Sequence, residues 1–226
     1  MKRLLRVLRN TILILGIFYA ALFIFTRVIH YPDPIAAIKL GLAPASKTPT
    51  LMPWHVIDPA STPTAIPVTA EKMPDEIMYK GTSLPFNEFL KQTDTNAFIV
   101  LRNGVMTFEW YKDGVSQQTQ LPSYSVAKTM TSIMIGQLVS QGKIKESDKF
   151  VDYFPELKNG SSFDLVTIKQ LLDMQAGVGV SDNYPSGPSG WGVAIAQMYA
   201  TTDLNWFLKN NRKMAFDPGT KSEYRS

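Results

Sequence analysis

Between Asn10 and Thr26 the chain carries no charged residue; Lys2, Arg3, Arg6 and Arg9 precede that run and Arg27 closes it. Such a segment reads as a membrane element. It is slightly short for an ideal span, but Leu4, Leu5, Leu8, Val28 and Ile29 extend it while the flanking arginines reach back to the interface. A cleaved signal peptide would show a small-x-small site after the apolar run, where Phe23, Phe25, Arg27 and Ile29 stand instead, so an uncleaved anchor is expected. The excess of cations before the run puts that end in the cytoplasm. The expected protein is a single-pass protein of the cell inner membrane, with everything after the anchor on the periplasmic side.

Beyond the anchor the chain is close to neutral, because the four leading cations alone match the net charge of +4. A nucleic-acid partner needs a basic face on the folded part, so that class is excluded. There is no cysteine, which removes disulfides, a thiolate nucleophile, a lipidated cysteine anchor and cysteine-ligated zinc. The two histidines, His30 and His55, precede the expected folded region. A histidine triad or histidine-ligated metal is therefore not expected, and the commonest general base is missing. Acid–base chemistry has to use lysine, tyrosine or carboxylates, with no metal and no cofactor.

From Tyr31 to Pro85 the chain changes character: most of its fifteen prolines fall here, with threonine and alanine between them. This predicts an extended stalk or a wrap along a domain surface, with Trp54 and His55 as docking points. Beyond it, Leu84–Gln92 reads as a short helix and Ala97–Leu101 as an apolar strand. Asn103-Gly104 is a hairpin turn returning through Val105–Tyr111. Val166–Met174 is expected as a short helix with Leu171 and Leu172 inward, and Ala176–Trp191 as a Gly/Pro/Ser-rich loop. Val193–Asn210 holds helical material in two pieces, and Phe216–Thr220 is a turn presenting Tyr224-Arg225-Ser226.

The chemistry centres on Ser125-Val126-Ala127-Lys128. Ser125 opens a run (Val126, Ala127, Met130, Ile133, Met134, Leu138) whose apolar positions recur at helical spacing. Residues i and i+3 share a helix face, so the Lys128 amine can reach the Ser125 hydroxyl. The first turn of a helix also offers unpaired N–H groups and a partial positive charge to a developing oxyanion. A second Ser-x-x-Lys, Ser140-Gln141-Gly142-Lys143, serves as an internal control. It sits where the same helix ends, with Gly142 as the expected cap, so Lys143 lies past the last turn and cannot stack over Ser140.

In sequence order, AFIVLRNGVMTFEWYKDG, SYSVAKTMTSIMIGQL, VTIKQLLDMQAGV and FDPGTKSEYRS resemble four blocks of the penicillin-recognising serine hydrolases of the class C β-lactamase type. The wording is closest to the aminohexanoate-dimer hydrolase and carboxylesterase branch. The resemblance covers roughly residues 84–226 and implies an α/β (α+β) serine β-lactamase/DD-peptidase-like fold, an antiparallel sheet flanked by helices. It implies that Ser125 is the acyl-forming nucleophile, that Lys128 accepts or relays its proton, and that Tyr224 shares that task and protonates the leaving group. Ser226 would hydrogen-bond the lysine or the substrate, and the Ser125 backbone N–H would supply one of two oxyanion donors. Ser181-Asp182-Asn183 spells the Ser-Asp-Asn motif of class A β-lactamases, and Tyr184-Pro185-Ser186 spells Tyr-x-Ser. Both fall in the Gly-rich loop, where the resemblance assigns Tyr184 to substrate binding; Trp191 is a pocket wall or a buried structural residue.

The same family continues with more helices, three more strands and a Lys/His-Thr/Ser-Gly motif, a tripeptide that does not occur here. The sequence is therefore expected to be part of a longer enzyme, and these 226 residues alone are expected to be inactive. The expected organisation is an anchor at 1–30, a stalk at 31–83 and the first part of the hydrolase domain at 84–226. The expected function is a membrane-anchored hydrolase of a small ester or amide, a β-lactam or peptide-like amide among them. The rival is a non-catalytic envelope binding protein on the same fold.

Overall fold

The computed structural model describes residues 2–52, 54–182 and 194–225. The chain folds as two compact units: Met52–Pro122, and Met1–Leu51 together with Ser123–Ser226.

In the first of these, β1 (Glu76–Tyr79) and β2 (Thr82–Pro85) form one antiparallel pair, and β3 (Ala97–Arg102) and β4 (Val105–Tyr111) form another. The β3–β4 turn is the expected one. Asn103 and Gly104 both adopt positive φ, 53° and 79°, the conformation that matches a two-residue turn to the twist of its strands. Alternation along the strands sends Phe98 and Phe108 to one face, where α3 (Phe86–Gln92) supplies Phe86. The three rings meet edge to face, Phe86 lying 5.5 Å from Phe98 and 5.8 Å from Phe108. Leu90 of α3 is fully buried, worth about 2 kcal/mol at the usual cost of exposing such a side chain. Ile99 and Leu101, on the opposite face, are about half exposed.

The proline-rich stretch is not a uniform stalk. Part of it wraps: Met106 N–H donates to Pro67 O, Thr69 N–H to Met106 O, and Glu71 N–H to Thr107 O, at 2.8–3.0 Å. Residues 67–71 thus run beside β4, and Arg102 closes the run with an ion pair to Glu71 at 3.0 Å. Other parts form regular elements. Asp33 caps α2 (Pro34–Leu42) by accepting from Ile35 and Ala36 N–H, with proline at the first position, where its missing N–H costs nothing.

The other unit begins with α1 (Lys2–Val28), a single helix long and apolar enough to cross a membrane. Among the described residues its other helices are α2 together with α4 (Ala127–Ser140), α5 (Phe150–Tyr153), α6 (Ile168–Leu172), α7 (Ala194–Ala200) and α8 (Leu204–Asn210), with 3-10 turns at Pro155–Leu157 and Ser162–Leu165 between α5 and α6. The core is built from Val151, Leu157 and Phe163 and, next to them, Val180, Ile195 and Phe207, with Val178 and Leu208 packed against both groups. A capping box starts α6: Thr167 Oγ accepts from Gln170 N–H while the Gln170 amide accepts from Thr167 N–H. That start places Val166 and Ile168 inside. Leu171 and Leu172, expected to point inward, are each 37% exposed. The expected two-piece helix appears as α7 and α8, interrupted at Thr201–Asp203, where Asp203 caps α8 by accepting from Trp206 N–H.

Candidate active site

Ser125 lies in a 3-10 turn, Tyr124–Val126, that leads directly into α4. The residue before it, Tyr124, holds a positive φ of 43°, unusual for a side chain of that size, so the nucleophile candidate sits on a sharp, strained corner. One turn along, Lys128 Nζ donates to Ser125 Oγ at 3.3 Å, the i, i+3 approach expected from helical spacing. The control pair behaves as expected too. α4 ends at Ser140, Gly142 takes φ +67°, and Lys143 N–H returns to Leu138 O while Gly142 N–H returns to Val139 O. This is a glycine-capped helix end, and the Ser140 hydroxyl donates back to Gln137 O.

Tyr224 completes the cluster. Its phenol donates to Ser125 Oγ at 2.5 Å across a sequence separation of 99, and Lys128 Nζ lies over its ring, 5.4 Å from the centroid. Serine, lysine and tyrosine thus share one hydroxyl oxygen. Either neighbour, once it has given up a proton of its own, is within hydrogen-bond reach to receive one from Ser125, and a phenol near the same oxygen can pass it on to a departing group.

Tyr224 is delivered by an extended strap bonded along the segment after α6. Gly179 N–H donates to Lys213 O, Ala215 N–H to Gly177 O, Gly219 N–H to Gln175 O and Glu223 N–H to Met174 O, all between 2.7 and 3.0 Å. The strap therefore runs antiparallel to the segment after α6. Its approach is so close that a Cβ on Gly177 would come within 2.2 Å of Phe216 O, and one on Gly179 within 2.8 Å of Lys213 O. Glycine is required at both positions, and at Gly177 also by its φ of +79°.

Sequence reasoning singled out Tyr224 but not the residues that fix it. Glu223 pairs with both Lys221 and Arg225, and these two cations lie over the Phe216 ring at 5.7 and 5.5 Å. The hydrogen bond from Lys221, aided by the charges of Arg225 and Lys221, holds the Glu223 carboxyl below its usual range against the opposing effect of burial. The Arg225 side chain is only 16% exposed, and its buried Nε has no hydrogen-bond partner among the described residues. A Lys-x-Glu-x-Arg alternation before a candidate motif was the available signal. Of the other expected site residues, Tyr184, Trp191, Ser226 and the Asn183 of Ser181-Asp182-Asn183 lie outside the described residues. No group of acidic or histidine side chains among the described residues could hold a metal ion.

With this geometry in hand, the likeness to known proteins is specific. The beta-lactamase family model matches residues 86–226. The 6-aminohexanoate-dimer hydrolase of Paenarthrobacter ureafaciens is 32% identical over 105 residues, 46% of this chain and 26% of that protein. A beta-lactamase of Pseudomonas fluorescens is 30% identical over 113 residues, 50% of this chain and 28% of the relative. Among solved structures, one from Bacillus anthracis assigned as a 6-aminohexanoate-dimer hydrolase shares the fold over 86% of this chain and 52% of that one, with a TM-score of 0.64 at 22% identity. The matched stretches thus span about a quarter of the curated relatives and half of the solved structure. The chain belongs to the beta-lactamase family, and the α/β β-lactamase-like fold expected from its sequence is the fold it has.

Proposed function

We propose that this chain carries the nucleophile and proton-transfer groups of a membrane-anchored serine hydrolase that cleaves a small ester or amide through an acyl-enzyme on Ser125. The observation that carries the reading is the convergence of Lys128 Nζ and the Tyr224 phenol on Ser125 Oγ from opposite ends of the second unit. In the proposed sequence, Ser125 Oγ bonds to the substrate carbonyl carbon as its proton passes to the Lys128–Tyr224 pair. The pair then returns that proton to the leaving alcohol or amine as the carbonyl–heteroatom bond breaks. Water repeats the cycle on the acyl-enzyme and frees Ser125. The Ser125 backbone N–H, at the start of the helical segment, is the proposed first oxyanion donor.

Membership of a family whose relatives are named as a 6-aminohexanoate-dimer hydrolase and beta-lactamases supports an ester or amide as the bond broken. Tyr184 and Ser226 are proposed substrate contacts. The apolar run of α1 and the cations in its first turns support an inner-membrane anchor with the catalytic unit on the periplasmic side. The test is covalent labelling of the full-length protein with a fluorophosphonate. Wild type and Ser140→Ala should label and Ser125→Ala should not; undiminished labelling of Ser125→Ala would overturn the assignment.

A further inference from the structure

The end of α1 is not a free tether. Tyr31 N–H donates to Thr26 O at 2.7 Å and His30 N–H to Arg27 O at 3.2 Å, with His30 in the left-handed conformation at φ 53°. This is the bonding of a glycine-type helix stop with histidine in the glycine position. His30 is then gripped by the corner between α7 and α8. Its carbonyl accepts from Thr202 N–H at 2.8 Å, Thr202 Oγ1 at 3.1 Å and Thr201 Oγ1 at 3.4 Å. Its ring stacks on Trp206 at 4.8 Å, and Nδ1 lies 3.7 Å from Asp203 Oδ2, the carboxylate that caps α8. The emerging helix is thus clamped to the unit that holds Ser125.

Just beyond the clamp, α2 turns the wrong side outward for a helix in water. Pro34 is buried and Ala36, Ala37 and Leu40 are half-buried, while Ile35, Ile38 and Leu42 are 52%, 48% and 73% exposed. Their i, i+3, i+7 spacing makes one apolar stripe, with Lys39 at its edge as the helix's sole charge. An exposed helix face is ordinarily polar. The stretch between α1 and α2, residues 29–33, reaches at most about 17 Å when fully extended, so α2 begins close to the membrane surface on the side where α1 emerges.

We propose that α2 lies in the outer interface of the membrane that α1 crosses, with Ile35, Ile38 and Leu42 at the acyl-chain boundary and Lys39 reaching to the headgroups. The His30 clamp then holds the Ser125 unit against the lipid surface instead of at the end of a flexible stalk. The partner is a bilayer surface, chosen over a second copy or another protein because the stripe continues from a spanning helix over so short a connection. This rests on the reading of α1 as a retained anchor.

These 226 residues hold no cysteine, so a single cysteine introduced among them is their one labelling site, and the protein without it is the labelling blank. Ile35→Cys, Ile38→Cys, Leu42→Cys and Lys39→Cys are made in the full-length protein, coupled to an environment-sensitive fluorophore and reconstituted in phosphatidylcholine vesicles. Positions 35, 38 and 42 should show blue-shifted emission that is lost when the lipid carries a nitroxide near the headgroup, with a smaller loss at 39. Blue-shifted emission without nitroxide quenching would mean that protein covers the stripe, and unshifted emission would mean water; either overturns the proposal. Retention of the unlabelled protein after alkaline carbonate washing keeps the two readings separable. Release by that wash removes the anchor and this proposal together, whereas retention with no quenching removes this proposal alone.

Discussion

At the scale of single residues, the centre depends on groups whose charge states and reach differ in kind. Lys128 is proposed to accept a proton, a task arginine cannot perform because its guanidinium does not deprotonate in proteins. Lys128→Arg should therefore lose turnover almost as completely as Lys128→Ala, on the order of a hundred- to ten-thousand-fold for a lost general base. Steady-state hydrolysis of a p-nitrophenyl ester by the full-length protein checks this, and near wild-type turnover in Lys128→Arg would show that the lysine is only an electrostatic partner. Glu223 gives a second handle. Its folded carboxyl titrates below the ordinary value because Lys221 donates to it and Arg225 stands beside it. A depressed carboxyl pKa contributes stability that is present above the unfolded value, about 4.3, and disappears as pH falls through the folded value. Thermal unfolding followed from neutral pH down to about pH 3 should thus fall more steeply for wild type than for Glu223→Gln. Equal slopes would mean that the Lys221–Glu223–Arg225 cluster does not brace the strap.

At the scale of elements, the strap that delivers Tyr224 and the segment after α6 are coupled through positions where nothing larger than glycine fits. Gly177 and Gly142 are a matched pair for measuring that coupling. Both take positive φ, 79° and 67°, but a Cβ on Gly142 meets nothing within 4 Å whereas one on Gly177 would strike Phe216 O. Gly142→Ala should cost about 1–2 kcal/mol, the left-handed penalty alone. Gly177→Ala should cost more than about 4 kcal/mol, since a backbone carbonyl cannot move aside without breaking the strap. Urea unfolding of the two variants reads the difference, and similar midpoints would show that the strap is loosely held. α4 shows a further element-level feature: none of its residues is buried, and Met130, Ile133 and Met134 are each more than half exposed. Its sequence periodicity signals a helix correctly without saying which neighbour covers the apolar side.

At the scale of the whole molecule, the amino-terminal helix is long and apolar enough to cross a membrane, and the proposed chemistry would take place where it is anchored. α1 ends in a formed helix stop, and His30 is bonded into the α7–α8 corner, so the segment is integrated into the fold. The protein should remain in the membrane pellet after high-salt and alkaline washes, and its mature mass should include Met1 or Lys2. A soluble form beginning after Ile29 would establish a cleaved signal peptide instead. Most of the fold that positions the centre was legible in the sequence, because its signals are local. Asn103-Gly104 requires a tight turn, Gly142 ends a helix, and the i, i+3 spacing of Ser125 and Lys128 brings amine to hydroxyl without help from the rest of the chain.

Contacts between segments far apart along the chain were beyond the reach of the sequence. The proline-rich stretch reads as an extended stalk or a surface wrap; residues 67–71 do wrap along β4, where backbone groups beside a sheet edge gain partners, whereas Asp33 and Pro34 start a helix in the same stretch. His30 reads as the last residue of the anchor, and only the folded α7–α8 corner offers the hydroxyls, amide and indole that grip it. Leu171 and Leu172 read as inward, and the capping box fixes a helix phase that leaves them half exposed. By itself the sequence determined the turns, the caps, the apolar span and the Ser125–Lys128 pair, since each is set by interactions within a few residues. Tertiary structure alone decided that the Tyr224 phenol meets Ser125 across 99 positions, because no local preference specifies where a distant strap will be held.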